Sequence, residues 1–136
     1  MRRSVILAVF LLFAIALLLS SSPQLSVYHE ILLNNNPAET SKALCCTANN
    51  LTFMVTTNMN SKCSISISSN PGGSITIEPK NIVFVAEKNQ REPVTFKITP
   101  MGKNRYIVSY EIECNSTGFR RSYLSSSGQF VLYIKG

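Results

Sequence analysis

The chain contains no aspartate, no tryptophan and a single histidine, His29. Its seven acidic residues are all glutamates. A Ser-His-Asp triad cannot be assembled from this composition, and one histidine cannot form a multi-histidine metal cage. The lack of aspartate also argues against a calcium loop, because such loops rely on Asp oxygens. These absences predict a protein that is not an enzyme and has no catalytic residues, no cofactor and no metal site.

Short catalytic and nucleotide-binding motifs are missing as well. The chain has no GxSxG, no HExxH, no CxxC and no glycine-rich phosphate loop. Only 15% of its residues are charged, and the net charge is +6. Two of the positive charges, Arg2 and Arg3, precede the first apolar run, and the remaining excess is spread along the chain. The charge pattern therefore predicts a mildly basic surface that does not bind nucleic acid.

The N-terminus has the pattern of an export signal. Arg2 and Arg3 are followed by an uninterrupted apolar run at residues 5–19 and then by a short serine-rich exit. An uncleaved anchor is the alternative, although a helix of this run covers about 22 Å of a hydrocarbon core that is roughly 30 Å thick. We interpret residues 1–22 as a signal peptide or a membrane anchor. Under either interpretation the basic pair stays inside and the rest of the chain is exported.

If the chain is exported, its sequons can be glycosylated and its cysteines can form disulfides. Asn50 and Asn115 each begin a complete N-glycosylation acceptor, Asn-Leu-Thr and Asn-Ser-Thr. Four cysteines in such a chain are most simply read as disulfides. The predicted location is extracellular or at the cell surface, either secreted or held at the membrane through residues 5–22 if these are not removed.

Period-two hydrophobicity dominates the chain after residue 50. Apolar and polar residues alternate in several short runs, and turn residues such as those at 70–73 separate them. This rhythm predicts an all-β fold, an antiparallel β-sandwich of about seven strands at residues 43–136, preceded by an N-terminal hydrophobic helix. Residues 23–42 are a linker or a first strand, because the apolar positions at 25–33 fit either a strand or one face of a short helix.

The strand rhythm over residues 43–136 resembles that of immunoglobulin-like and fibronectin type III-like domains. The resemblance concerns architecture alone, since the chain lacks the core tryptophan of true immunoglobulin domains and its cysteine spacing differs. In such a sandwich the third and sixth strands are antiparallel neighbours. The resemblance therefore implies that Cys63, which opens one strand, lies opposite Cys114, which closes the other.

Cys45 and Cys46 have no such assignment. Adjacent cysteines rarely bond to each other, because the resulting ring is strained. One of them could form an intermolecular bond, or the two could take Cys63 and Cys114 as separate partners. All four cysteines are thus candidate disulfide residues.

A candidate interaction loop lies between the last two predicted strands. It contains Phe119, Arg120, Arg121 and Tyr123. Aromatic and arginine side chains are the types that dominate protein interfaces, and sandwich folds present recognition loops at this position. The expected partner is a protein or glycan at the cell surface.

Two alternative functions remain open. A hydrophobic N-terminal segment followed by a β-domain resembles archaeal pilins and archaellins, which suggests a structural subunit of a surface assembly or filament. The chain lacks the Gly-led or Ala-led processing site that these proteins carry after the basic residues. In a variant of this hypothesis, residues 25–33 complete the sheet of a neighbouring copy. The other alternative is a small accessory subunit of a membrane complex, and homo-oligomerisation is open under both.

Overall fold

The computed structural model describes residues 2–20, 24–71, 73–102, 105–118 and 121–135. It begins with one helix, α1 (Arg2–Ser20). The large apolar side chains between Val5 and Phe13 are exposed. Among the described residues, no helix combines the length and the hydropathy needed to cross a membrane.

The rest of the described chain forms two five-stranded sheets packed face to face. The first sheet contains, in spatial order, β2 (Asn36–Pro37), β1 (Val27–Leu33), β4 (Asn49–Thr57), β8 (Arg91–Pro100) and β6 (Ile75–Glu78). The second sheet contains β3 (Lys42–Leu44), β10 (Tyr123–Lys135), β9 (Tyr106–Ser116), β5 (Ser61–Asn70) and β7 (Asn81–Ala86). All neighbouring strands are antiparallel except β3 and β10, which are parallel. The predicted all-β sandwich with a preceding helix is confirmed.

The described residues form ten strands where the periodicity predicted about seven. The difference comes from β1, whose apolar positions also fit a helix, and from two short strands that leave no alternation to detect. Strand β2 has two residues and β3 has three. Their pairing depends on the longer strands beside them, so no local sequence pattern marks them.

The core lies between the two sheets and follows the period-two pattern. Leu51, Phe53 and Val55 alternate along β4, and all three are fully buried. Phe53 meets Phe96 of β8 edge to face, with ring centroids 5.7 Å apart. Burying side chains of this size contributes about 1.5–3 kcal/mol each to the free energy of folding, before the entropy cost is subtracted.

The segment between β1 and β4 crosses from one sheet to the other. Residues 27–33 form a strand, paired along their length with β4. Asn34 and Asn35 then adopt positive φ values of 51° and 68°, a conformation that Asn tolerates better than most residues. A 3-10 turn (Ala38–Thr40) follows, and β3 joins the second sheet beside β10.

The side chain of Asn49 holds this crossing segment to the sandwich. Its Oδ1 accepts hydrogen bonds from the Leu44 N–H at 2.8 Å and from Asn34 Nδ2 at 3.0 Å. Its Nδ2 donates to the carbonyls of Leu44 at 2.9 Å and Thr47 at 3.0 Å. Asn49 is itself buried. One amide thus connects β3, β4 and the turn after β1.

Candidate interaction surface

Cys63 and Cys114 form a disulfide, one of the pairings that the sequence left open. They are directly opposed in the ladder of β5 and β9, with Cα atoms 4.1 Å apart. Their side chains point into the core, where they are 1% and 0% exposed. The bond therefore joins two neighbouring strands of one sheet and is shielded from reductants in solution.

This bond rules out the alternative in which Cys45 and Cys46 take Cys63 and Cys114 as separate partners. The reason is geometric, because the two core cysteines face each other across adjacent strands. Cys46 is exposed and has a positive φ of 67°, and Cys45 beside it is half-buried. Both lie in the turn between β3 and β4, away from the core disulfide. An intermolecular bond from this turn stays a prediction.

The two candidate glycosylation sites lie on opposite sheets and are both exposed. Asn50 is on β4, where it pairs with Lys97 of β8. Asn115 is near the end of β9, where it pairs with Tyr123 of β10. Neither asparagine is buried in the core, so a sugar on either would project into solvent.

The described part of the predicted interaction loop lies beside Asn115. Arg121 is exposed, and Tyr123, the first residue of β10, is 59% exposed. The loop is tied to the end of the sandwich, because the Ser122 N–H donates to Ser116 Oγ at 2.6 Å. Phe119 and Arg120 lie outside the described residues. The structure thus brings Arg121, Tyr123 and Asn115 to one end of the second sheet.

Sequence reasoning missed a second feature, a cleft of about 400 Å³ between the open edges of the two sheets. It is bordered by β1, by the 3-10 turn, by Tyr110 of β9 and by Phe130 of β10. Inside it, His29 Nε2 and the Tyr110 hydroxyl form a hydrogen bond of 2.8 Å. This bond connects the two sheets at the side where no strand closes the sandwich among the described residues.

Gly128 sets the position of Tyr110. The two residues are paired across β9 and β10, and a Cβ at position 128 would overlap the Tyr110 hydroxyl and lie 2.6 Å from its Cζ. The aromatic ring therefore occupies the space that any other side chain at position 128 would need. This lets the hydroxyl reach His29 in the opposite sheet. A glycine inside a strand was the signal that could have identified the contact.

Burial shifts the pKa values of both partners toward their neutral forms. It lowers the pKa of His29 below its usual 6.5 and raises the pKa of Tyr110 above its usual 10.0. Two neutral groups are therefore paired near pH 7. Tyr110 also contacts Phe53 edge to face, with ring centroids 5.2 Å apart. The His29–Tyr110 pair thus extends the core to the cleft.

The described residues contain no group of three or more His, Cys, Asp or Glu side chains placed to hold a metal ion. The Glu30 carboxylate forms a salt bridge of 2.9 Å with Arg91 on the outer face of the first sheet. Both side chains are substantially exposed, so this pair contributes little to stability.

Comparison with known proteins assigns no family. The chain matches no protein-family model, and no curated protein shows significant similarity to it.

Proposed function

We propose that the protein is an exported, non-enzymatic β-sandwich module that binds a protein or glycan partner at the cell surface. The observation that carries the proposal is the buried Cys63–Cys114 disulfide. Structural disulfides form and persist mainly in oxidising compartments, outside the cytosol. The basic and apolar N-terminal segment supplies the export signal that such a location requires.

The strand pairing supports an immunoglobulin-like version of the sandwich. The long central strands pair as β4 with β8 and as β5 with β9, and β10 continues the second sheet beside β9. In immunoglobulin-like domains the second and fifth strands pair in one sheet and the third and sixth in the other. Domains of this architecture commonly use the loops at one end for recognition.

The proposed contact surface is the end of the second sheet formed by Arg121 and Tyr123. Both side chains are exposed, and both belong to the residue types most common at interface hot spots. Asn115 pairs with Tyr123 across β9 and β10, so a glycan on Asn115 would lie within reach of the tyrosine ring. Glycosylation at this site would therefore alter the same surface that binds the partner.

Intact mass spectrometry of protein from its natural cells tests export. We expect an N-terminus near residue 22, a mass decrease on enzymatic removal of N-glycans, and a gain of hydrogen on reduction. Protein that retains its N-terminal segment and carries no glycan would contradict the secreted form of the proposal. A chain found reduced at Cys63 and Cys114 in its natural cells would contradict export altogether.

Binding of labelled protein to the surface of the cells that produce it tests the contact surface. We expect Tyr123→Ala and Arg121→Ala each to weaken binding about tenfold, the usual effect of removing a hot-spot side chain. Tyr133→Ala is the matched control, because Tyr133 is an exposed tyrosine near the other end of β10. Equal losses in the Tyr123 and Tyr133 variants would refute this surface. Treating the cells with protease or with glycosidase separates a protein partner from a glycan.

A structural subunit of a membrane-anchored surface assembly is the second candidate. The observation in its favour is the apolar side chains of α1, which the sandwich leaves exposed between Val5 and Phe13. Retained in the mature protein, they would pack against lipid or against the helices of other subunits. Recovery of the full-length chain in large assemblies that dissolve only in detergent would favour this function over the secreted module.

A further inference from the structure

Strand β7 is an open and apolar edge of the second sheet. It pairs with β5 on one side, and no other described strand pairs with it. Its outward side chains Val83 and Val85 are 59% and 66% exposed. The residues within β7 carry no charge and no proline, the two features that usually block further pairing at an edge.

The register shows which backbone groups of β7 face the open side. Ile67 and Lys80 are opposed at the end of the β5–β7 ladder, and the Ile67 N–H donates to the Lys80 carbonyl at 3.0 Å. Hydrogen-bonded and non-hydrogen-bonded pairs alternate in an antiparallel ladder, so the even-numbered residues of β7 direct their N–H and C=O groups to β5. The odd-numbered residues, Asn81, Val83 and Val85, direct theirs to the open edge.

The open edge ends at Glu87, whose carbonyl already accepts the Gln90 N–H at 3.1 Å. Three residues therefore present both a free N–H and a free C=O to a new strand, and they are symmetric about Val83. Such an edge is complementary to itself. An antiparallel copy centred on Val83 pairs Val83 with its own equivalent and pairs Asn81 with Val85.

We propose that β7 is a dimer interface, at which a second copy of this chain adds its own β7 in antiparallel orientation about a two-fold axis at Val83. The two second sheets then join into one continuous sheet. Each of the three pairs forms two N–H···O=C hydrogen bonds. The exposed valines of the two copies come together on the outer face. This interface does not depend on the proposed contact at Arg121 and Tyr123, which lies on β10 and the loop before it.

The charges that flank β7 favour a second copy over other occupants. Lys80 precedes the strand and Glu87 follows it, and both are exposed. In an antiparallel copy centred on Val83, Lys80 of each chain lies within one residue of Glu87 of the other. A parallel copy would place like charges beside each other. The ends of the edge thus select antiparallel pairing, which is the orientation that a two-fold axis requires.

Sedimentation of the full chain in detergent micelles measures the dimer. We expect dimer at about 100 µM and dissociation on dilution, because a contact of one strand from each copy is smaller than a standard interface. Val83→Lys places a charge at the centre of the interface and is expected to raise the dimer Kd at least about tenfold. Val131→Lys is the matched control, because Val131 is an exposed valine on β10, outside the interface. It should leave the Kd unchanged.

Charge exchange tests the pairing itself. Lys80 and Glu87 are about 23 Å apart within one chain, at 3.3 Å per strand residue, which is too far for a direct contact. We expect Lys80→Glu and Glu87→Lys each to raise the Kd several-fold. The double variant should restore it, because the opposite charges meet again between copies. Restoration of this kind arises only if residues 80 and 87 of different copies are neighbours.

Val85→Pro is a second variant, chosen because it should block the interface without disturbing the fold of the single chain. The Val85 N–H points away from β5, so its loss leaves the β5–β7 ladder complete, and proline is tolerated on edge strands for this reason. We expect a folded monomer. The proposal is overturned if the wild-type chain is monomeric at about 100 µM. It is equally overturned if the Val83→Lys and Val85→Pro variants dimerise as the wild type does, because association would then occur elsewhere, such as through α1.

Discussion

Two adjacent asparagines at the start of β4 have opposite environments. Asn49 is buried and uses its amide to hold Leu44, Thr47 and Asn34. Asn50 is exposed and begins a sequon. The alternation of strand side chains sends one inward and the other outward. Two residues of the same type therefore have different consequences when they are replaced.

We expect Asn49→Ala to lower the free energy of unfolding by about 2–4 kcal/mol, because it removes a buried side chain together with its hydrogen bonds to the β3–β4 turn. Asn50→Ala should change it by less than about 0.5 kcal/mol, as exposed substitutions usually do. Urea unfolding of both variants, made without glycosylation, measures the difference. Similar losses in the two variants would refute the structural role assigned to Asn49.

His29 is the single histidine of the chain, and its surroundings determine a dependence of stability on pH. Burial holds its folded-state pKa below the 6.5 of an unperturbed histidine. Protonation is therefore easier in the unfolded chain than in the folded one. The stability associated with neutral His29 is complete above pH 6.5 and is lost as the pH falls through the folded-state pKa.

The free energy of unfolding should accordingly decrease between pH 7 and pH 5. His29→Gln keeps a side chain that can hydrogen-bond to Tyr110 but does not titrate, so its stability should decrease less over this interval. Urea unfolding at several pH values measures both proteins. The glutamates at the cleft, Glu30 and Glu39, are present in both proteins, so their contribution cancels in the comparison. Parallel curves for the two proteins would show that His29 does not cause the effect.

At the scale of strands, a disulfide reinforces the pairing of β5 with β9. The Cys63–Cys114 bond closes a loop with a sequence separation of 51 residues. A cross-link of this span stabilises a domain by about 4 kcal/mol in the chain-entropy model. That is a large fraction of the 5–15 kcal/mol typical of a domain.

We expect the double variant Cys63→Ala and Cys114→Ala to lose about 4 kcal/mol of unfolding free energy. The matched control is Cys45→Ala with Cys46→Ala, which removes two cysteines from the exposed turn and should cost less than about 1 kcal/mol. Urea unfolding under non-reducing conditions compares them. A control that loses as much as the core variant would show that the disulfide is not the main contributor.

The strands differ in how well the sequence predicts them. Strands β4, β5, β6, β8 and β9 alternate clearly, because each buries one face against the core, as Ile65 and Ile67 of β5 do. Strand β7 is instead continuously apolar, and the first half of β10 has no apolar alternation. Strand β1 was ambiguous, since its apolar positions also fit a helix, and only its ladder with β4 decides the matter. The pairing of β3 with β10 connects residues about 90 positions apart, and no local pattern records it.

At the scale of the whole molecule, the sandwich begins at Gln24. The Asn58 side chain donates to the Gln24 carbonyl and accepts from the Ser26 N–H, each at 2.7 Å. Leu25 between them is buried. The helix α1 precedes this point, and its large apolar side chains between Val5 and Phe13 are exposed, so their removal takes little from the core.

A chain that starts at Gln24 should keep the thermal midpoint of the full chain within about 3 °C. A chain that starts at Glu30 loses Leu25 and half of β1, and its midpoint should fall by at least about 10 °C. Near-UV circular dichroism on heating, in the same detergent for all three proteins, measures the midpoints. Equal midpoints for the two shortened chains would mean that β1 contributes nothing to the sandwich.

The sequence by itself determined the properties that depend on local pattern and composition. The hydrophobic period of two fixed the all-β class, because a strand alternates its faces whatever it pairs with. The missing aspartates and the single His29 limited the chemistry that the chain can supply. The resemblance to an immunoglobulin-like sandwich implied that Cys63 and Cys114 lie opposite each other, but it left their bonding to Cys45 or Cys46 open.

Only the tertiary structure decided which distant groups meet. The hydrogen bond between His29 and Tyr110 joins residues from different sheets, and the space above Gly128 permits it. The burial of Asn49 and the exposure of β7 likewise depend on which strands lie beside them. These features arise from packing between residues that are far apart in the chain, so they leave no period and no motif in the sequence.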